Sequence, residues 1–206
     1  VLGVPGYVSA IRYKAFPSWQ PVPQRYLTIY DLEVRDATHI QQISDEHMRR
    51  IGAGEMRRSP EGAMDRATMR AMYYVERSPR QSSLHHPFDM PRGVFLAFAS
   101  PASPATENEM NRWYDEQHVP DVLTLPGFSA AQRYTSTDIN MVGQPWVTDN
   151  PYLTVYEHQH DTEDAYGAAF GTIRDRIADG SIVMTDSLAP NSLMAVYHRI
   201  SERITN

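Results

Sequence analysis

Residues 111–134 read NRWYDEQHVPDVLTLPGFSAAQRY, and the second half of this stretch occurs twice in the chain. The polar end of an amphipathic helix runs into a His-Val-Pro stop, a Pro-Gly turn and a strand ending in Arg133-Tyr134. Residues 2–13, LGVPGYVSAIRY, repeat the turn and the strand. With Gly6 set on Gly127 (an offset of 121), Leu2/Leu123, Pro5/Pro126, Gly6/Gly127, Ala10/Ala131, Arg12/Arg133 and Tyr13/Tyr134 are identical, six positions in twelve. Further on, Tyr26, Leu27, Thr28 and Tyr30 recur as Tyr152, Leu153, Thr154 and Tyr156, now at an offset of 126. Repetition on this scale predicts two copies of one supersecondary unit.

Reading outward, residues 7–13 predict a strand, and Pro17, Pro21 and Pro23 a loop after it. Residues 26–33 alternate with period two and predict a second strand. A helix capped by Asp36 or Thr38 follows, with a buried stripe of Ile40, Ile43, His47 and Ile51. Residues 68–76 predict a strand, and 77–91, with three Pro and the His85-His86 pair, a linker. The second half opens with the apolar run GVFLAFA at 93–99, suited to a doubly buried strand. Its first helix is capped by Ser103 or by a Thr106/Glu109 capping box, carries Met110, Trp113, Tyr114 and His118 on one face, and is predicted to stop at Pro120. A strand at 128–134, a loop at 135–150, a strand at 152–158, a helix at 161–177 and a strand at 193–200 complete it.

Each half therefore reads as β-α-β-β-α-β, a ferredoxin-like unit. The expected domains are a first repeat at 1–76, a linker at 77–91 and a second repeat at 92–206. The opening strand and helix of the first repeat are expected to be missing from the chain. The fold class is α+β: two repeats whose antiparallel sheets face each other as an intramolecular barrel, helices outside.

Composition bounds the chemistry. The net charge of −6 argues against nucleic acid or an anionic membrane as partner. With no Cys, thiolate nucleophiles, disulfides and Cys-ligated metal are excluded. No run approaches the roughly 18 apolar residues of a membrane span, and no signal peptide is visible. A cytoplasmic protein, dimerising further, is the expectation.

Residues 111–134 resemble the helix-turn-strand segment of the EthD-like branch of the dimeric α/β barrel superfamily. There an aromatic-Tyr pair, an acidic pair and His-x-Pro precede Pro-Gly-Phe and Arg-Tyr. The resemblance covers the second half, and the first half without its own Trp-Tyr…His segment. It implies an interior cavity for a small, often aromatic, organic ligand. Relatives include cofactor-free monooxygenases, cyclases, dehydratases and catabolic accessory proteins.

Within that frame the catalytic expectation is His118 as general acid or base, with Tyr114 four residues earlier and Asp115 to orient the ring. A core histidine bonded to a backbone carbonyl is the alternative. Trp113, Tyr26, Thr28, Tyr30, Tyr152, Thr154 and Tyr156 are expected to line the cavity, with Leu27, Ile29, Leu153 and Val155 under the helices. Plain strand propensity would produce the same residues. Tyr74 and Tyr197 join the lining. Arg12 and Arg133 either clamp an anionic group or form structural ion pairs. His158 and His160 fall short of the three ligands a metal needs, so no metal is expected; with no Gly-rich phosphate loop in the sequence, no organic cofactor is expected either. The expected reaction is a dehydration, cyclisation, isomerisation or C–C cleavage by proton transfer. Alternatives are cofactor-independent oxygenation of a phenol, and ligand binding without turnover.

Overall fold

The computed structural model describes residues 1–19, 23–56, 68–84, 90–140 and 149–206. His85 and His86 lie outside these. The strands are β1 (Tyr7–Ala15), β2 (Tyr26–Leu32), β3 (Met72–Glu76), β4 (Gln81–Ser82), β5 (Gly93–Ala99), β6 (Phe128–Asn140), β7 (Tyr152–His158), β8 (Leu193–Arg199) and β9 (Ile204–Thr205). The helices are α1 (Ala37–Gly52), α2 (Glu107–Trp113), α3 (Val119–Leu123) and α4 (Glu163–Ala178). The fold is α+β: one curled antiparallel sheet with its helices packed on one side.

The sheet runs in the order β2-β1-β8-β5-β7-β6-β3, with β9 added to β1 and β4 to β6. Within it, β8-β5-β7-β6 is the strand order of a ferredoxin-like unit. Hydrogen-bond registers recur at the sequence offsets. Arg12 faces Thr28 as Arg133 faces Thr154, and Tyr13 faces Leu27 as Tyr134 faces Leu153. Each of these ladders carries a bulge at the same place, between Tyr7 and Ser9 and between Phe128 and Ala130. The joins between halves match too, with Ala15 opposite Tyr197 and Ser136 opposite Tyr74. So do the short strands, with Ala10 opposite Ile204 and Ala131 opposite Gln81.

Both copies of the Pro-Gly turn need the left-handed glycine conformation, at Gly6 (φ 95°) and Gly127 (φ 82°). A Cβ on Gly6 would come within 2.3 Å of Ile43, and one on Gly127 within 2.4 Å of His160. The turn therefore sets strand direction and lets a helix or an imidazole close over it.

Several boundaries differ from the sequence expectation. Asp36 caps α1 through its side chain, but Ser44 joins Ile40, Ile43 and His47 in the buried stripe while Ile51 does not. Pro120 does not end the helix: α2 passes into a π-turn at Tyr114–His118 and on into α3, with Pro120 in the first turn of α3. Proline lacks an N–H, and the wider turn before it absorbs the missing hydrogen bond. Ser103, not Thr106, makes the capping box, reciprocated by Thr106. β6 continues to Asn140 because β3 pairs with its far end.

Two cores result. Phe95, Met110, Trp113, Tyr114, Phe128, Tyr152, Tyr156 and Tyr166 fill the space between sheet and helices. Ile11, Tyr13, Val94, Leu96, Leu153, Ala195 and Tyr197 pack on the opposite, concave face, with Leu27, Ile29, Tyr74, Phe98, Tyr134 and Val155 half-buried around them.

Candidate functional site

The faces of β2 and β7 are the reverse of the expectation. Tyr152 and Tyr156 lie under α2 and the π-turn, while Leu153 and Val155 line the concave face. In the other half Tyr30 packs on Tyr7 beneath α1, and Leu27 and Ile29 are concave. Thr28 and Tyr26 alternate with Leu27 and Ile29 and so share the outer side with Tyr30; Thr154 likewise sits on the outer side. Period two marks two faces but does not say which is which when both are covered. On β2 and β7 the aliphatic side chains take the concave face and the phenols the side under the helices.

The expected catalytic group is in the helix layer. His118 stacks on Trp113 at 4.4 Å between centroids and meets the edge of Tyr114 at 5.4 Å. The π-turn brings this about: its i→i+5 bond, from the Val119 N–H to the Tyr114 carbonyl, widens the turn and draws positions 113 and 118 together. His118 Nδ1 is buried with no hydrogen-bond partner among the described residues. Burial, aided by Arg133, depresses its pKa to about 4, so the ring is neutral near pH 7. Trp113 donates its indole N–H to the Val183 carbonyl.

Arg133 is 2% exposed and is the hub of this layer. It donates to the Asp115 carboxylate at 2.8 Å, to the Asn111 carbonyl at 3.1 Å and to Asn111 Oδ1 at 2.7 Å. Its guanidinium lies 4.6 Å from the Tyr114 ring centre. Tyr152 donates to Glu107 alongside. Asp115 is thus committed to Arg133 rather than to His118. Arg12, the counterpart of Arg133, is exposed. The set of His118, Tyr114, Asp115, Trp113 and Arg133 is therefore assembled, but on the face of the sheet opposite Tyr74 and Tyr197. His158 and His160 stack at 5.6 Å beneath α4, against Tyr166 and Phe128.

The concave face carries a second constellation that sequence reasoning passed over. Tyr13 and Tyr134 stand at matched registers there, among Leu27, Ile29, Leu153 and Val155. Neither hydroxyl has a hydrogen bond to another described residue. Asp31 and Glu157 continue the concave side of β2 and β7 and act electrostatically on both phenols. Each carboxylate has its own arginine: Arg80 bridges Glu157 at 2.6 Å, and Arg203 bridges Asp31. Burial, with the carboxylates adding to it, raises the Tyr13 pKa to about 12 and that of Tyr134 further. Tyr197 is raised to about 12 and Tyr74 higher, both by burial. Tyr197 donates to the Gln24 carbonyl. All four phenols remain protonated donors at neutral pH. The signal was present in the repeat: Asp31/Glu157 lie at the 126 offset, and Arg80/Arg203 at an offset of 123 shared with Tyr74/Tyr197.

An open depression lined by Gly6, Glu33, Arg35, His39 and Asn206 lies at the start of α1, away from both groups. Among the described residues no group of three His, Cys, Asp or Glu is placed to hold a metal ion, and no helix is long and apolar enough to cross a membrane.

No protein-family profile and no curated protein matches the chain. Solved structures do. An anthrone oxidase-like protein superposes with a TM-score of 0.51 at 13% identity, over 97% of this chain and 79% of the other. A candidate monooxygenase from Fusobacterium nucleatum gives a TM-score of 0.46 at 10% identity, over 100% and 82%. One from Lactobacillus acidophilus gives 0.45 at 8%, over 94% and 77%. The fold is shared with the first of these.

Proposed function

We propose that the chain is an internal duplication, a first repeat at 1–76 joined through 77–91 to a second at 92–206, whose concave face receives a flat, apolar, phenolic or polyketide-like molecule. The matched registers and bulges of the two halves support the duplication. The observation that carries the ligand reading is the pair Tyr13 and Tyr134, protonated donors on an aliphatic floor, set between the Arg80–Glu157 and Arg203–Asp31 pairs. Small-molecule sites have this make-up, an apolar wall with a few convergent polar groups.

The chemistry that fits is proton transfer. Glu157 or Asp31 accepts a proton from an acidic C–H or O–H of the ligand. The Tyr13 and Tyr134 hydroxyls donate to the enolate or phenolate oxygen that forms, and an arginine offsets its charge. This supports an enzyme of the dehydratase, cyclase or isomerase kind, with the acid–base role moved from His118 to the concave carboxylates. A second reading shares the first step: the electron-rich anion then reacts with molecular oxygen. The fold held in common with an anthrone oxidase-like protein makes that the reading to test against.

Anthrone, an acidic methylene flanked by two aryl rings, serves as a probe for both. Purified protein is mixed with it in deuterated buffer and followed by NMR and an oxygen electrode. Faster methylene exchange without oxygen uptake, lost in Glu157→Gln or in Asp31→Asn, supports proton transfer. Oxygen uptake supports the second reading. Saturable binding without either makes the chain a carrier, and no binding by anthrone or related phenols sinks the site.

A further inference from the structure

Two near-identical strands of this chain stand in opposite surroundings. β7, YLTVY over its first five residues, is buried throughout that stretch except for Val155, with Tyr152 at 5% exposure and Tyr156 at 0%. β2, YLTIY, has no buried residue, and Tyr26 is 59% exposed. The difference is in what covers them. β7 has β6 on one side and β5 on the other, Ala97 pairing with Thr154 and Phe98 with Leu153. β2 has β1 on one side and, among the described residues, no strand on the other.

The same holds across the sheet. β8, the last strand of the second half, pairs with β5 as well as with β1, whereas β3, its counterpart, pairs only with β6 among the described residues. The sheet therefore begins at β2 and ends at β3, the two strands that β5 would separate if the first half were built like the second. The helix layer repeats the pattern. Arg133 is enclosed by Asn111, Tyr114 and Asp115 of the segment that follows β5. Arg12, at the same register opposite Thr28, is exposed and has no side-chain hydrogen bond or ion pair with a described residue.

We infer that the free edges of β2 and β3, together with the Arg12 face, form a docking site for a strand–helix unit of the same make as residues 93–123. Its strand is apolar on both faces and pairs antiparallel with β2 and β3. Its helix lies over Arg12, Tyr26 and Thr28 and brings a carboxylate and an amide to the Arg12 guanidinium. Charge complementarity specifies the partner: an isolated Arg beneath a helix selects an acidic residue on the covering face. Edge strands with unpaired N–H and C=O groups accept such a strand through main-chain bonds.

A synthetic peptide of residues 93–123 of this chain tests the site in trans. The whole chain is titrated with it by calorimetry, and amide exchange is followed at β2 and β3. The expected result is 1:1 binding with new protection at both strands. Arg12→Ala is expected to weaken binding about tenfold, the worth of a charge-assisted hydrogen bond. A peptide carrying Asp115→Lys is expected to fail. Urea unfolding of free Arg12→Ala, expected unchanged, separates lost docking from lost folding. Four results overturn the inference: no saturable binding, protection elsewhere, binding indifferent to Arg12→Ala, or protection in the free chain of the β2 amides that point away from β1. Self-association that protects β2 also overturns it, since the occupant would then be a second copy.

Discussion

Arg133 donates to Asp115 at 2.8 Å from a position 2% exposed, while Asp115 is 31% exposed. A buried cation with a partly wetted partner depends on its other contacts, here both oxygens of Asn111 and the Tyr114 ring. Arg133→Met is expected to cost about 3 kcal/mol by leaving those acceptors unpaired. Arg12→Met, at the same register on the exposed face, should stay within about 0.5 kcal/mol. Urea midpoints of the two variants check this, and equal losses would refute the assignment of Arg133 as a hub.

His118 titrates near 4 in the folded chain, below the roughly 6.5 of an unfolded histidine. The unfolded state therefore binds more protons between these values. The stability His118 contributes is present above about pH 6.5 and is lost as pH falls towards 4. His118→Gln should flatten that part of the stability curve while leaving the slope due to His158, depressed to about 3 by its own burial. Urea unfolding at several pH values between 7 and 4 measures the difference. An unchanged curve would mean that the ring is solvated.

Tyr134→Phe removes a hydroxyl that has no hydrogen bond to another described residue. Its effect on stability is expected within about 1 kcal/mol, and its effect on affinity for a phenolic probe about tenfold. Because the phenols titrate far above neutrality, binding of an uncharged probe should not vary between pH 6 and 8 on their account. Fluorescence titration of the wild type and Tyr134→Phe decides it. Undiminished affinity would remove Tyr134 from the site.

Gly54 and Gly127 both hold positive φ, but only Gly127 is crowded. Gly54→Ala should cost about 1 kcal/mol of backbone strain. Gly127→Ala adds a clash with the His160 ring at 2.4 Å and should cost more. Thermal melts of the two variants give the order, and the reverse order would place His160 elsewhere.

Much of the architecture was legible because local chemistry and repetition agreed. The Pro-Gly turns, the apolar run that became β5 and the Asp36 cap all formed where residue type placed them. Two kinds of information were not local. Which side of β2 and β7 meets the helices depends on how two covered surfaces are shared, so Tyr152 and Tyr156 were assigned to the wrong one. The course of the helix through Pro120 depended on a π-turn that no residue type signals alone. Trp113, Tyr114 and His118 share one face as their spacing implied, and the π-turn adds the direct stack of His118 on Trp113. Asp31, Glu157, Arg80 and Arg203 were passed over because each looks like a solvated charge until its duplicate is noticed.

Each matched bulge exchanges odd for even along its strand. Tyr7 and Tyr13 are six residues apart and would share a side on an unbroken strand, as would Phe128 and Tyr134. Instead Tyr7 and Phe128 lie beneath helices, while Tyr13 and Tyr134 lie on the concave face. Deleting Val8 or Ser129, neither of them large or charged, would restore the simple count. It would force either the phenols of the concave face or the aromatics beneath the helices to change sides. A side chain on the concave face can thus be exchanged without disturbing its neighbours' orientation, whereas one residue added to or removed from the strand reverses it.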